Sequence, residues 1–231
     1  MKQRYCSPPI DGYPGVVSNI SNDWERVRNL AQERYLKKNT IFSFDGDASQ
    51  DFAYVLRGSI SIAYYECNGQ SKTQIICNEG SLINEVNIVT GYHKNKVNYI
   101  SNCDSIILYF SKHIVTSVIF PKFPELMKSI AYGLSVKLMK FQVLFNAVCT
   151  RNRLQLVCWY ILSMSQCHDN AREFTPGLTQ EQIRSLLGLK KTSMKRSMAW
   201  LKSENIVPVF TKRRIRITDY ERLVKLALPE G

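Results

Sequence analysis

A chain of 231 residues with 45% hydrophobic and 22% charged side chains has an ordinary globular balance, which excludes a wholly disordered or fibrous molecule and leaves room for two modest domains. Lysine and arginine outnumber aspartate and glutamate by 31 to 19, a formal charge of +12, and from Leu178 onward 12 basic residues face 5 acidic ones. Over half of the excess therefore sits in the last quarter of the chain, where it suits a polyanionic partner.

No apolar run approaches the length of a membrane span, and the opening MKQRYCSPPIDGYPG lacks the apolar core of a signal peptide, so a cytoplasmic protein without a membrane partner is expected. The cysteines, Cys6, Cys67, Cys77, Cys103, Cys149, Cys158 and Cys167, are odd in number and include no CxxC pair. Neither structural disulfides nor a zinc or other metal site is expected, and most of these thiols read as small apolar core residues in a reducing compartment.

Residues 1–19, with Pro8, Pro9 and Pro14, read as an irregular arm. Trp24, Val27, Leu30 and Ala31 recur at helical spacing behind Ser21 or Asn22 and predict a short amphipathic helix over Asp23 to Tyr35. From Leu36 to about Phe110 the pattern turns β-branched and aromatic. Strands are predicted at Thr40–Phe44, Phe52–Leu56, Ser59–Tyr65, Thr73–Cys77, Val97–Ser101 and Ser105–Phe110, with Asn68-Gly69 as a two-residue hairpin turn. A small β-barrel or jelly roll closes so many short strands.

A long helix is predicted from Glu125, behind Pro124, to about Cys149. One apolar row on it comprises Leu126, Ile130, Leu134, Leu138, Phe141, Phe145 and Val148; a second comprises Tyr132, Val136, Met139 and Val143. One row is expected to cover the barrel and the other to meet the same helix of a second subunit, with Leu126, Ile130, Leu134, Leu138, Phe141 and Phe145 as the dimer seam. A helix buried on both sides within one subunit is the alternative.

A second helix with Leu154, Val157, Cys158, Ile161 and Leu162 ends near His168-Asp169-Asn170. Leu178 to Val207 then reads as a helix-turn-helix. Thr179 caps a first helix with apolar Ile183, Leu186 and Leu187, Gly188 stops it, and a second helix begins near Lys191 with Met194, Met198 and Leu201 inward. Thr179, Gln180, Lys190, Lys191, Thr192, Ser193, Lys195 and Arg196 are candidate DNA contacts, most of them on the end that a recognition helix offers to bases. Short strands at Val207–Phe210 and Ile215–Thr218 frame Thr211-Lys212-Arg213-Arg214, a basic wing whose Lys212, Arg213 and Arg214 can hold the phosphate backbone.

Barrel, long helix and winged helix-turn-helix, in that order, together with Phe44-Asp45-Gly46-Asp47, Tyr54-Val55-Leu56-Arg57-Gly58-Ser59, Glu79-Gly80 leading to Glu85, and Leu178-Thr179-Gln180-Glu181-Gln182-Ile183 with Gly188, resemble the Crp–Fnr family of bacterial transcription regulators. The resemblance covers nearly all of the chain beyond the first twenty or so residues. It implies an α+β fold: an N-terminal β-roll, the cyclic-nucleotide-binding-like jelly roll, then a long dimerisation helix and a C-terminal winged helix-turn-helix. The expected division is an arm and effector-sensing roll over residues 1–120, a dimerisation helix over 121–149 and a DNA-binding domain over 150–231. It also implies a homodimer on a near-palindromic double-stranded DNA site, a small-molecule effector held by the roll, and RNA polymerase as a partner. Lys191, Thr192 and Arg196 fall where the family's recognition helix carries Arg, Glu and Arg.

Two departures narrow the effector. The Gly-Glu pair of the family's cyclic-nucleotide binders is Asn84-Glu85 here, and their later Arg-Ser pair falls at Lys94-Asn95-Lys96-Val97. Lysine lacks the bidentate fork of arginine, and a side chain at the glycine position crowds a phosphate, so cyclic AMP is disfavoured. The cysteine cluster of iron–sulfur members is absent, since Cys6 stands alone, and that cofactor is disfavoured too. A small anionic effector is expected instead, meeting Asn84, Glu85, Lys94, Lys96 and, on the long helix, Lys137 or Lys140, with Tyr64, Tyr99 and Tyr132 as aromatic walls. His93, His113 and His168 are scattered and no phosphate loop, nucleophile elbow or zinc-protease motif occurs, so no catalytic residues and no enzyme are expected. Two alternatives stay open: a haem- or redox-dependent sensor of the same architecture, using a histidine or Cys77, and a nucleic-acid-coating protein without sequence preference.

Overall fold

The computed structural model describes residues 12–65, 71–91 and 97–228. They form two compact units, one of Val16–Met139 and one of Lys140 onward together with the stretch that ends at Gly15.

The first unit is a β-roll of two sheets. Strands β1 (Val16–Val17), β3 (Ile41–Phe42), β5 (Ser59–Tyr65), β6 (Ser71–Asn78) and β8 (Val97–Ser101) make a five-stranded sheet in the order β1-β6-β5-β8-β3. Strands β2 (Gln32–Leu36), β4 (Phe52–Arg57), β7 (Leu82–Ile83) and β9 (Ser105–Phe110) make the second, in the order β2-β9-β4-β7. All six predicted strands are present. The Asn68-Gly69 turn lies outside the described residues, but β5 and β6 on either side of it pair antiparallel, Tyr65 opposite Ser71.

Strand β4 shows why the roll closes. All of Phe52 to Leu56 is buried, because its two faces serve two layers. Phe52, Tyr54 and Leu56 join Leu108 and Phe110 in a core with Trp24, Val27, Val115, Ile119, Leu126 and Ile130, while Ala53, Val55 and Ile107 alternate to the other face. Trp24 sits edge-on to Phe52 at 4.9 Å, and its indole N–H donates to Ser129 Oγ at 2.8 Å. Gly58 permits the bend from β4 to β5: its φ is +99°, and a Cβ there would stand 2.2 Å from Ser105 Oγ.

The predicted helix over Asp23–Tyr35 is corrected. A 3-10 segment holds only Asp23–Leu30, with a break in helical geometry at Val27, and Gln32–Leu36 becomes β2, paired with β9. Sheet pairing outcompetes a helix whose apolar spacing covers just two turns. Helix α1 (Glu85–Thr90) follows β7; α2 (Lys112–Ile114), a π turn (Val115–Ile119) and α3 (Phe120–Lys122) lead into the long helix α4 (Glu125–Thr150).

The apolar rows of α4 are also corrected. Leu126 and Ile130 belong to the roll's own core and Leu134 packs against it, so these three leave the dimer seam. Three successive steps of four, from Leu126 to Leu138, turn the row by about 120° around the helix. Leu138 is consequently 57% exposed, and Phe141 and Phe145 are 37% and 58% exposed with their rings stacked. Tyr132 and Met139, assigned to the other row, are exposed as well, whereas Val136 is buried.

The second unit holds α5 (Arg153–Gln166), α6 (Gln180–Leu186), α7 (Lys191–Ser203) and α8 (Tyr220–Leu226), with β10 (Glu173–Phe174), β11 (Val209–Phe210) and β12 (Ile215–Arg216) in a three-stranded sheet ordered β10-β12-β11. The short stretch ending at Gly15 is strapped onto it. Lys140 Nζ donates to Tyr13 O at 3.2 Å, the fully buried Tyr160 hydroxyl donates to Pro14 O at 3.1 Å, and the Tyr13 hydroxyl lies 2.8 Å from His168 Nε2.

Candidate nucleic-acid interface

Helices α6 and α7 form where the sequence predicts them. Thr179 Oγ1 accepts from Gln182 N–H at 3.1 Å while Gln182 Oε1 accepts from Thr179 N–H at 2.8 Å, a reciprocal cap on α6. Gly188, at φ +63°, then turns the chain. A residue not anticipated from sequence fixes this turn: the Arg184 guanidinium grips the Glu181 carboxylate, with Nη2 to Oε1 at 2.6 Å, and donates to Leu189 O at 2.6 Å. Its only sequence signal is the Glu-to-Arg spacing of three on a helix.

Burial sorts the candidate DNA contacts. Ile183, Leu186, Leu187, Met194 and Leu201 are buried, which turns Lys190, Lys191, Thr192, Lys195 and Arg196 outward; Ser193 is half-buried. Unlike α5 and α6, α7 starts without a side-chain cap, so its first backbone N–H groups are offered outward beside Lys190 and Lys191. Thr179 and Gln180 take positioning roles, Thr179 in the cap and Gln180 by donating its amide to Phe210 O on the wing at 2.8 Å. In the wing, Thr211 Oγ1 accepts from Arg214 N–H at 3.0 Å and closes the turn. Arg214 is tied to Glu173 of β10 at 2.8 Å, while Lys212 and Arg213 are exposed and form no ion pair among the described residues.

The candidate effector residues divide. Lys94 and Lys96 lie outside the described residues. Asn84 holds φ +66°, a left-handed conformation that asparagine tolerates. Its amide nitrogen donates to Asp51 O at 2.6 Å and Ser49 O at 3.1 Å, and its Oδ1 accepts from the Tyr99 hydroxyl at 2.9 Å. Glu85 is 1% exposed and forms an ion pair with Lys137 of α4, whose Nζ also donates to Leu82 O at 2.6 Å. Asn84, Glu85, Tyr99 and Lys137 thus come together with their polar groups engaged on the protein itself.

Burial works against the charge on Lys137, but the neighbouring Cys77 and the Glu85 carboxylate outweigh it and hold the ammonium above its ordinary range. Burial pushes the Cys77 thiol up to about 11. Tyr132 is not part of this cluster. It is 55% exposed, and five residues from Lys137 place it about 140° away around the helix. Among the described residues, no three His, Cys, Asp or Glu side chains converge to hold a metal ion, and no helix is long and apolar enough to cross a membrane.

Sequence reasoning also passed over Arg151 and Arg153, which flank the Asn152 cap of α5 and line, with Arg196 and Trp200 of α7, a groove of about 680 Å3. The signal was two arginines directly after the long helix.

Residues 155–226 match the family of the Crp-like helix-turn-helix domain. No curated protein matches the chain by sequence. Among solved structures, the chain is similar to CprK complexed with OCPA (TM-score 0.72, 16% identity, 90% of this chain and 96% of that one). It is also similar to a mutant of CooA from Carboxydothermus hydrogenoformans (TM-score 0.71, 13% identity, 92% and 100% covered). A third is the c-di-GMP responsive global regulator CLP of Xanthomonas campestris (TM-score 0.71, 14% identity, 85% and 98% covered). At these identities the structures establish the fold, and the domain match identifies its C-terminal part. The chain thus has the fold of these structures, a β-roll, a long helix and a C-terminal part that matches the Crp-like helix-turn-helix domain.

Proposed function

We propose that the protein binds a near-palindromic duplex site as a homodimer, without catalysis, and regulates transcription there in response to a small anionic effector that is not a cyclic nucleotide. The observation that carries the reading is the outward side of α7, with Lys191, Thr192, Lys195 and Arg196, on an uncapped helix that follows α6 through the Gly188 turn and is accompanied by a basic wing. A dimer of such helices rewards half-sites spaced about one helical turn, roughly 34 Å, apart. Selection from a random duplex pool should return a symmetric consensus with that spacing. Binding without sequence preference that collapses with rising salt would instead mark a coating protein.

The dimer reading rests on exposed Leu138, Phe141 and Phe145, which lie within about 60° of one another around α4 and which the same helix of a second copy covers. The functional division follows the chain: sensing over 1–120, dimerisation over 121–149 and DNA binding over 150–231, in contact with RNA polymerase when bound. At the roll, an anionic effector competes with Glu85 for Lys137. Because a ligand shifts an equilibrium only by its differential affinity for two states, this competition supplies the difference that a switch needs. Calorimetry with cyclic AMP gives the test: micromolar binding that tightens the DNA complex contradicts this effector class. A Soret band in the purified protein would point to haem instead.

A further inference from the structure

Only Arg151 and Asn152 separate α4 from α5. Asn152 is held by α5, since its Oδ1 accepts from Leu154 N–H at 3.1 Å and from Gln155 N–H at 3.0 Å. Thr150 is held by α4, its hydroxyl donating to Asn146 O at 2.8 Å one turn back. Between these two fixed ends, Arg151 carries the change of direction.

The Arg151 side chain is tied on three sides. Its Nε donates to Ala227 O at 3.0 Å, its Nη1 to Thr150 Oγ1 at 3.0 Å, and its guanidinium stands 5.3 Å from the Trp159 ring centre on α5. Ala227 closes α8, where the last carbonyls lack partners within the helix and the dipole presents its negative end, so a cation completes that terminus. Helix α8 is in turn packed on α5, with Leu223 fully buried and Ala227 2% exposed. Arg184, Arg214 and Arg222 of the same unit each meet a carboxylate. Arg151 meets a carbonyl, a hydroxyl and a ring instead, contacts that fix its orientation rather than neutralise its charge.

We propose that Arg151 is a specificity-determining residue: by tying the link between α4 and α5 to the end of α8, it fixes the spacing of the two half-sites that a dimer accepts. The proposal rests on the reading of a homodimer, joined through α4, on a symmetric duplex. Phe141, Phe145 and the helix-turn-helix belong to one compact unit, so the link lies inside it, between the seam and the DNA-binding fold. The stretch ending at Gly15 also spans α4 and α5, through Lys140 and Tyr160, so losing Arg151 loosens the angle without freeing it.

Small angles matter at this distance. Helix α7 packs against α5; with axes about 10 Å apart and side chains reaching about 5 Å further, its outward tips lie roughly 15 Å from the link. A swing of about 10° moves such a tip by about 2.6 Å, and the same swing in both copies gives about 5 Å, more than the ~3.4 Å of one base-pair step. Reading a single spacing therefore requires the angle to be held to a few degrees.

The test uses the full-length protein and symmetric duplexes carrying the half-site that it selects from a random pool, at centre-to-centre spacings of about 8 to 13 base pairs. The readout is the ratio of affinity at the best spacing to affinity one base pair away. Loss of charge or of folded protein lowers binding at every spacing alike and leaves this ratio where it was. In the wild type the ratio should be about tenfold. Arg151→Met, which keeps the aliphatic stem and removes both donors, should cut it to about threefold or less, and Thr150→Val, which removes one acceptor, should cut it part of the way. A ratio at the wild-type level in both variants, whatever their absolute affinity, overturns the role of Arg151 and leaves the dimeric DNA reading standing. A wild type with no preferred spacing, or one that binds a single half-site as tightly as the pair, overturns that reading and the proposal together.

Discussion

The buried pair Glu85–Lys137 gives the sharpest test of how the roll is held to its helix. Lys137→Met keeps the aliphatic bulk of the side chain and removes the ammonium, which leaves the Glu85 carboxylate 1% exposed without its cation and Leu82 O without its donor. Stranding one partner of a buried pair costs roughly 3–5 kcal/mol. Against a total stability of about 5–15 kcal/mol, that is enough to unfold the roll at modest denaturant. Glu85→Gln leaves a lysine that keeps Leu82 O and is 12% exposed at its side chain, so its cost should be smaller. The double variant strands no charge and should recover most of the loss. Tryptophan reports the unit selectively: of the 3 in the chain, Trp24 is in the roll's core, so a Trp159→Phe/Trp200→Phe background isolates it. Urea titrations of the four proteins complete the cycle. Single variants each costing under about 1 kcal/mol, the level of an exposed ion pair, would refute the claim that the pair links roll and helix.

Other outcomes follow from the same structure. Ser129→Ala orphans the buried Trp24 N–H and should cost about 1–3 kcal/mol in the same urea assay. Alkali should destabilise the roll in steps: Cys77 has its pKa raised from 9.0 to about 11, so its contribution is complete below pH 9 and is lost as pH climbs to about 11. Lys137, raised above its ordinary 10.5, loses its contribution only beyond that pH, and Cys77→Ala should delete the earlier step and bring the Lys137 step to lower pH in pH-dependent melts, since Cys77 helps to hold that ammonium up. Leu138→Asp with Phe145→Asp, both on exposed positions, should yield a folded monomer by sedimentation, and a variant that stays dimeric moves the interface off α4. Thr192→Glu, which places an acceptor for the cytosine amino group on the outward row, should shift the selected half-site toward cytosine at one position by roughly 1–3 kcal/mol.

The strands were legible because each carries its own turn signal and alternation, and the helix-turn-helix because Thr179, Gln182 and Gly188 are local devices whose geometry depends on neighbours three or four residues away. Strand β2 was not, since Gln32–Leu36 opens on three consecutive polar residues, shows no alternation and becomes a strand only by pairing with Ser105–Tyr109, some seventy residues on. The rows of α4 failed for another reason. Periodicity shows that a helix has apolar positions, but three steps of four carry those positions a third of the way round, and only the packing partner decides where the row stops being inside.

The candidate sites divide along the same line. The proposed DNA face could be picked out because a recognition surface must be exposed and basic, and a run of basic residues on one helix is visible in a linear sequence. At the roll, the residue types were found but their use was not: a sequence pairing Asn84 with Tyr99, or Glu85 with Lys137 from a helix 52 positions away, looks the same whether the groups await a ligand or satisfy each other. The two cases differ in burial. A carboxylate fully withdrawn from water needs its counter-charge at all times, so Lys137 serves the resting fold first. The effector proposed above would have to offer Lys137 a better anion than Glu85 while Glu85 is returned to water, and the cost of that exchange would favour a compact anion.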